Sequence, residues 1–261
     1  MFEEREKVIL SLLEDKDTVS VKELAGILNV SEMTIRRDLQ SMEKKGVIKR
    51  VFGGAAKIKG LHLENPLPIR ANRLPEAKRK IARLACNLIA EGDVISLDVG
   101  TTIIELAKQV AKRDIVVITP SIQAGLYLAK GSAKVYLTGG EIRSEFMSLV
   151  GSIAEQAYKN MYVDKAFIGA AGINLEGGIT DYSEDEARIK RLMMERAREV
   201  ILLIDNTKFD VSAFIKVADL QQVHLIVTNV KPPLPYLKAC QESQTKVIWE
   251  ERQLAKTLVK G

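Results

Sequence analysis

Residues 19–54 read VSVKELAGILNVSEMTIRRDLQSMEKKGVIKRVFGG. Two short helices around a tight turn fit this stretch, followed by a basic hairpin that ends in glycines. Ser20 and Glu23 form an S-x-x-E capping box for a helix over VKELAGILN. That helix turns Leu24, Ile27 and Leu28 inward, while Ala25 and Gly26 are small enough for close packing. Asn29-Val30 makes the turn, and Ser31 is a good N-cap for the next helix. There Ile35, Leu39 and Met42 fall at i, i+4 and i+7 and belong to a core, so Met33, Thr34, Arg36, Arg37 and Gln40 share the opposite face. Gly46 stops that helix. Val47 to Phe52 alternates enough for a strand, and Gly53-Gly54 folds it into a wing carrying Lys49 and Arg50. This is the layout of a winged helix-turn-helix, whose expected partner is double-stranded operator DNA.

The chemistry of that face fits the partner. Early residues of such a helix enter the major groove, where Arg grips guanine O6/N7 and Gln pairs with adenine. Ser20, Ser31 and Thr34, at helix starts, suit phosphate oxygens. Lys49 and Arg50 are placed to reach the backbone or the minor groove. Between Val30 and Lys59 stand eight basic residues against three acids, whereas the first 29 residues carry seven acids and four bases. The positive charge is therefore local to the motif. The plainer alternative is that Arg36 and Arg37 pair with Glu32 or Asp38 on a solvated helix. Upstream, Val8, Ile9, Leu12 and Leu13 recur at helical spacing, and Thr18 to Val21 is short and β-branched.

Outward from the motif, the bulk numbers bound the rest. The chain has 261 residues, 46% hydrophobic and 28% charged, which fits two globular domains. Met1 leads straight into Phe2-Glu3-Glu4-Arg5, and no apolar stretch reaches the roughly 20 residues that span a bilayer. Cys86 and Cys240 read as buried free thiols of a cytoplasmic protein. With His62 and His224 isolated and no cysteine cluster, neither a metal nor a cofactor is expected.

Residues 58–76 hold three of the seven prolines and little periodicity, and read as a linker between a DNA-binding domain over 1–57 and an α/β domain over 77–261. An amphipathic helix over AKRKIARLACNLIAEGD opens the second domain. Short apolar strands then alternate with helices: VISLDVG, IVVITP, KVYLTGG, DKAFIGAAGI, EVILLID, HLIVTN and KVIWE. That alternation predicts an α/β sandwich with a mostly parallel sheet. Ligands of such sheets sit beyond the carboxyl ends of the strands. Asp98, Gly100, Thr101 and Thr102 lie there after the first strand, where Gly100 admits an anion to a helix N-terminus. Ser121 opens the helix after the second strand. Gly139 and Gly140 follow the third, with Arg143 free to clamp a phosphate. Gly169, Lys190 on a helix, and Asp205 with Lys208 complete the set. The two aspartates suit sugar hydroxyls and the two lysines a phosphate, so a phosphorylated sugar is the expected effector.

Particular motifs carry a family resemblance. E-R-x-K-V-I-L-x-L-L, V-S-V-K-E-L-A, V-S-E-M-T-I-R-R-D-L and K-R-V-x-G-G-A, within residues 3–57, resemble the N-terminal domain of DeoR-family bacterial transcription regulators. D-x-G-T-T, L-T-G-G-x-x-R, S-L-V-G, V-D-K-A-F-I-G-A-x-G-I, E-G-G-I-T, E-A-x-I-K-R-x-M and D-x-x-K-F are similar to that family's sensor domain over 77–250. The resemblance implies a sensor fold like ribose-5-phosphate isomerase and a repressor of a sugar-catabolism operon controlled by a phosphorylated intermediate. Val99 stands where the family commonly has Ser, Pro120 where Asn is common, and Asn206 at another common Ser position. Two half-sites call for a homodimer or homotetramer. The competing reading is a sugar-phosphate isomerase with a DNA-binding appendage, using Asp98, Glu105 or Asp205 as base.

Overall fold

A computed structural model of the chain describes residues 2–44, 47–56, 64–251 and 253. The chain forms two compact units, Met1–Arg73 and Leu74–Gly261. In the first, α1 (Phe2–Lys16), α2 (Val21–Leu28) and α3 (Glu32–Lys44) pack with a small antiparallel sheet of β1 (Thr18–Ser20), β2 (Lys49–Val51) and β3 (Gly54–Ala56) in the order β1-β3-β2. Ile9, Leu13, Leu24, Ile35, Leu39 and Met42 form its core. The three positions expected at i, i+4 and i+7 of α3 are all fully buried.

The local signals hold, with one change. Ser20 Oγ accepts the Glu23 amide at 3.1 Å, and the Glu23 carboxylate reaches back to the Ser20 backbone while also taking the Lys16 ammonium at 2.6 Å. Ile27, expected inward, is 51% exposed. Val21, Leu24, Ala25 and Leu28 fill one stripe of α2, and Ile27 is rotated about 120° from its centre at 100° per residue. Asn29 closes α2 in the left-handed conformation at φ 50°, as a short polar side chain tolerates. Gly46 and Lys57 lie outside the described residues. Part of the segment read as a linker is ordered: α4 (Leu67–Asn72) packs on α1. Its prolines serve helix starts, Pro66 and Pro68 at the head of α4 and Pro75 at that of the next helix.

The second unit is a three-layer αβα domain. In chain order its helices and strands are α5 (Pro75–Cys86), β4 (Val94–Leu97), α6 (Thr101–Val110), β5 (Val116–Thr119), α7 (Ile122–Leu128), β6 (Lys134–Leu137), β7 (Glu141–Arg143), β8 (Ser148–Val150), α8 (Ser152–Lys159), β9 (Val163–Ile168), β10 (Gly172–Asn174), β11 (Gly178–Asp181), α9 (Glu184–Glu195), β12 (Ala197–Leu203), β13 (Ile215–Ala218), β14 (Leu225–Val227), α10 (Leu234–Glu242) and β15 (Lys246–Ile248). Seven strands make a parallel sheet in the order β15-β14-β12-β9-β4-β5-β6. These are the seven apolar runs of the sequence. Side chains alternate between two cores: Phe167 packs with α5, α6 and α7, and its neighbours Ala166 and Ile168 pack with α8, α9 and α10.

The antiparallel additions were not expected. DKAFIGAAGI, read as one strand, splits into β9 and β10, and β10 leaves the main sheet to pair with β11 in a sheet of order β10-β11-β13. A Cβ on Gly172 would lie 2.4 Å from the Val211 carbonyl oxygen, so only glycine fits where β10 departs. β7 and β8 form a separate hairpin that lies against the segment after β5, where the Leu149 amide donates to the Pro120 carbonyl and Ser148 bridges Ser121.

Candidate functional site

In the first unit the candidate groove face is open. Met33 is 73% exposed, and Arg36, Arg37 and Gln40 are exposed along α3, with Thr34 half-buried at its start. Ser31 Oγ accepts the Thr34 amide at 3.2 Å, which caps α3 as expected. Lys49 and Arg50 are exposed on β2, and the Arg50 amide is fixed by Glu43 at 3.1 Å. Ser20 is exposed, but its oxygen is committed to its own cap.

The surface-pairing alternative holds for one arginine and not for the other. Arg36 meets Glu32 at 2.8 Å, an exposed i,i+4 pair of the kind worth about 0.3–0.5 kcal/mol. Arg37 makes no ion pair among the described residues. Asp38, its other candidate partner, points into the unit and takes the Arg5 guanidinium through two hydrogen bonds of 2.6 and 3.1 Å. Sequence spacing gave no sign of this pair.

In the second unit three of the candidate residues, Asp98, Gly169 and Lys190, meet past the carboxyl ends of β4 and β9. Asp98 is buried, accepts the Gly169 amide at 2.8 Å and pairs with the Lys190 ammonium. Lys190, 2% exposed on α9, also meets Asp181 at 3.3 Å. Burial opposes its charge, but Asp98, Asp181 and Glu186 outweigh burial and hold its pKa above that of free lysine. One turn earlier on α9, a single oxygen of Glu186 receives both the Arg143 guanidinium and Ser148 Oγ, the latter at 2.6 Å. Arg143 stacks 4.2 Å from the Phe146 ring centroid.

Several expectations change here. Arg143 is not free to clamp an anion: the β7–β8 hairpin brings it onto Glu186, because a half-buried guanidinium in this apolar setting needs a carboxylate. Ser121 serves as N-cap of α7, accepting the Ala124 amide at 3.2 Å, and its own amide is held by Thr119 at 3.0 Å. Asp205 closes on its own 3-10 turn, binding the amide and hydroxyl of Thr207 at 2.9 and 2.5 Å, and Lys208 is half-buried on that turn. Gly140 meets a packing demand, since a Cβ there would stand 2.4 Å from the Val150 carbonyl oxygen, and Gly139 precedes it in the same bend. Gly100 opens α6 at φ 150° with no side-chain cap, leaving the first amides of that helix with Thr101 buried and Thr102 half-buried.

Asp98, Val99, Pro120, Leu149, Glu186 and Ile189 line a cleft too tight to admit a sugar phosphate. Val99 and Pro120 make one wall of it apolar. Asp181, Glu186 and Ser148 were missed as members of this cluster. The available signal was the i,i+4 spacing of Glu186 and Lys190 on a helix whose Ala187, Ile189 and Met193 are buried.

Residues 5–60 match the DeoR-like helix-turn-helix domain and residues 74–230 the DeoR C terminal sensor domain. The chain belongs to the DeoR family. It is therefore a DNA-binding transcription regulator with an N-terminal helix-turn-helix head and a C-terminal α/β sensor unit. Relatives of this DeoR-family chain include the HTH-type transcriptional regulator GlpR of Haloferax volcanii, 36% identical over 87% of this chain and 89% of that protein. The HTH-type transcriptional repressor GlcR of Bacillus subtilis is 36% identical over 88% and 89%. A putative aga operon transcriptional repressor of Escherichia coli O157:H7 is 32% identical over 94% and 93%. Among solved structures, a D-ribose-5-phosphate isomerase in complex with phospho-erythronic acid aligns at TM-score 0.40 and 20% identity, covering 52% of this chain and 54% of that one. The eIF2B beta subunit of Chaetomium thermophilum aligns at TM-score 0.43 and 18% identity, over 66% and 54%. The chain spans about half the length of those two structures. Among the described residues of this DeoR-family chain, no helix is long and apolar enough to cross a membrane.

Proposed function

We propose that this DeoR-family regulator represses a sugar-utilisation operon and that a phosphorylated sugar in the sensor unit sets whether the operator is held. The observation that carries the effector half is the cluster of buried Asp98, Lys190 and Glu186 with half-buried Arg143 near the amino end of α6. Four ionised groups packed past strand ends are costly unless the site has a use for them. The phosphate meets the α6 amides, Thr101 and Thr102, with Gly100 allowing the approach and Ser121, Gly139 and Gly140 bordering it. Lys190 and Lys208 supply countercharge, joined by Arg143 once it leaves Glu186, and the carboxylate oxygens of Asp98 and Asp205 not engaged by Gly169, Lys190 or Thr207 address the sugar with the Gly169 backbone. Val99 and Pro120 favour a ligand with fewer hydroxyls on that side.

Because the cleft is narrow, binding requires it to widen around Glu186, and that rearrangement biases the DNA-holding state. Driving the switch from mostly bound to mostly free needs a preference of about 5 kcal/mol between the two states. On the DNA side, Arg36, Arg37 and Gln40 read bases while Ser31, Thr34, Lys49 and Arg50 engage the backbone, in a homodimer or homotetramer matched to two half-sites. Catalysis is not part of this reading. Asp98 is locked between Gly169 and Lys190, and Glu105 pairs with Lys108 at 2.6 Å, so neither is poised as a base.

The test is gel retardation of the chain's own promoter DNA at low salt, with and without a panel of aldose and ketose phosphates, alongside thermal unfolding of the full chain. One member of the panel is expected to raise Tm and change the retarded fraction. If the panel moves neither, the effector assignment fails. Turnover of any of these sugars would replace the regulator-only reading with the isomerase one.

A further inference from the structure

The wing holds an aromatic ring away from every core. Val51 pairs with Gly54 across β2 and β3, so the turn between the strands is Phe52-Gly53. Gly53 takes φ 75° while Phe52 stays out of the left-handed region, as in a type II turn with glycine in its third position. The tip is fixed. The Gly53 carbonyl accepts the Val21 amide at 2.8 Å, and a Cβ on Gly54 would lie 2.1 Å from the Val19 carbonyl oxygen, so the hairpin rests backbone against backbone on β1. Held this way, Phe52 is 108% exposed. Lys49, Arg50 and Val51 beside it are exposed as well, and neither cation makes an ion pair among the described residues.

A lone exposed phenylalanine needs no explanation. One fixed on an anchored tip beside two unneutralised cations, in a unit whose partner is DNA, matches the minor groove. There the rims are anionic and the stacked base steps are apolar. We propose that Phe52 is a wedge that enters the minor groove of the operator and partly unstacks one flexible pyrimidine–purine step, while Lys49 and Arg50 hold the flanking phosphates. The inference rests on the DNA-binding role of the family and goes beyond it. It assigns a shape-reading residue outside α3, so that operator choice extends to base pairs whose edges α3 never touches.

The experiment uses the full chain and duplexes it selects from a random-sequence library. Affinity is read by gel retardation, bending by circularly permuted fragments, and unstacking by 2-aminopurine placed at successive steps. Phe52→Ala is expected to weaken binding roughly tenfold, reduce the bend and abolish the fluorescence rise, with the slope of affinity against salt unchanged because no phosphate contact is lost. Phe52→Leu, still an apolar wedge, is expected to keep the bend. Equal affinity and bend for Phe52→Ala, with no 2-aminopurine signal in the native complex, overturns the wedge while leaving DNA binding intact. Recovery of no duplex by the native chain overturns DNA binding itself, a separate and recognisable failure.

Discussion

The two units dispose of their charged side chains in opposite ways. In the head, Arg37, Lys49 and Arg50 stand in solvent, and Arg36 is held only by a surface carboxylate. In the sensor unit, Asp98, Asp181, Glu186 and Lys190 are buried and already satisfied by one another or by Arg143 and Ser148. The first arrangement suits a large polyanion that brings its own charge and releases counterions on contact. The second suits a small ligand that must displace internal partners. The same residue types are therefore expected to fail differently when removed: a head cation at the cost of binding, a sensor charge at the cost of the fold.

The sharpest way to break that contrast is Lys190→Met, which strands Asp98 and Asp181 without countercharge. Stability by urea unfolding is expected to drop by about 3–5 kcal/mol, and a drop of a few tenths would show that the cluster is solvated rather than saturated. The same group gives an alkaline signature. The folded-state pKa of Lys190 is raised, so its contribution is full below the usual lysine value of about 10.4 and disappears as pH climbs through the higher folded one. Tyr158, whose pKa burial also raises, acts in the same direction. Stability is thus expected to fall above pH of about 10, and Lys190→Met to flatten part of that fall.

Arg37→Ala is the counterpart in the head. DNA affinity is expected to decrease by about 1–3 kcal/mol if the guanidinium reads a base, with unfolding stability moved by no more than about 0.5 kcal/mol. Unchanged retardation removes Arg37 from the readout. Ser31→Ala removes the α3 cap and is expected to cost about 1 kcal/mol of stability. Smallest of all, Glu32→Gln releases Arg36 from its surface partner, and a stability change above about 0.5 kcal/mol would mean that pair is more than a solvated contact.

What the sequence disclosed follows the same division. The seven parallel strands were legible because each is an apolar run bounded by turn residues, and the first four lead, directly or through a loop, into a helical pattern. The face of α3 was legible because Ile35, Leu39 and Met42 fix its rotation. DKAFIGAAGI misled because its apolar character continues through Gly169, where the chain changes sheets. β7, β8, β11 and β13 are three or four residues long, too short for alternation to show. The sensor cluster was half legible: position at strand ends pointed to Asp98 and Lys190, but not to their union across 92 residues of chain. Nor did composition reveal that Arg143 would find Glu186, 43 residues away. Pairing is decided by tertiary placement, and local sequence has no record of it.

The Arg5–Asp38 clasp has a consequence for recognition. It ties the first turn of α1 to the middle of α3 through two hydrogen bonds, with the aspartate side chain only 4% exposed. α3 is thereby denied rotation about its own axis. Arg36, Arg37 and Gln40 keep a set angular phase against the rest of the head, so a duplex that docks on α3 must meet that phase through its own twist, because the helix does not roll to meet it.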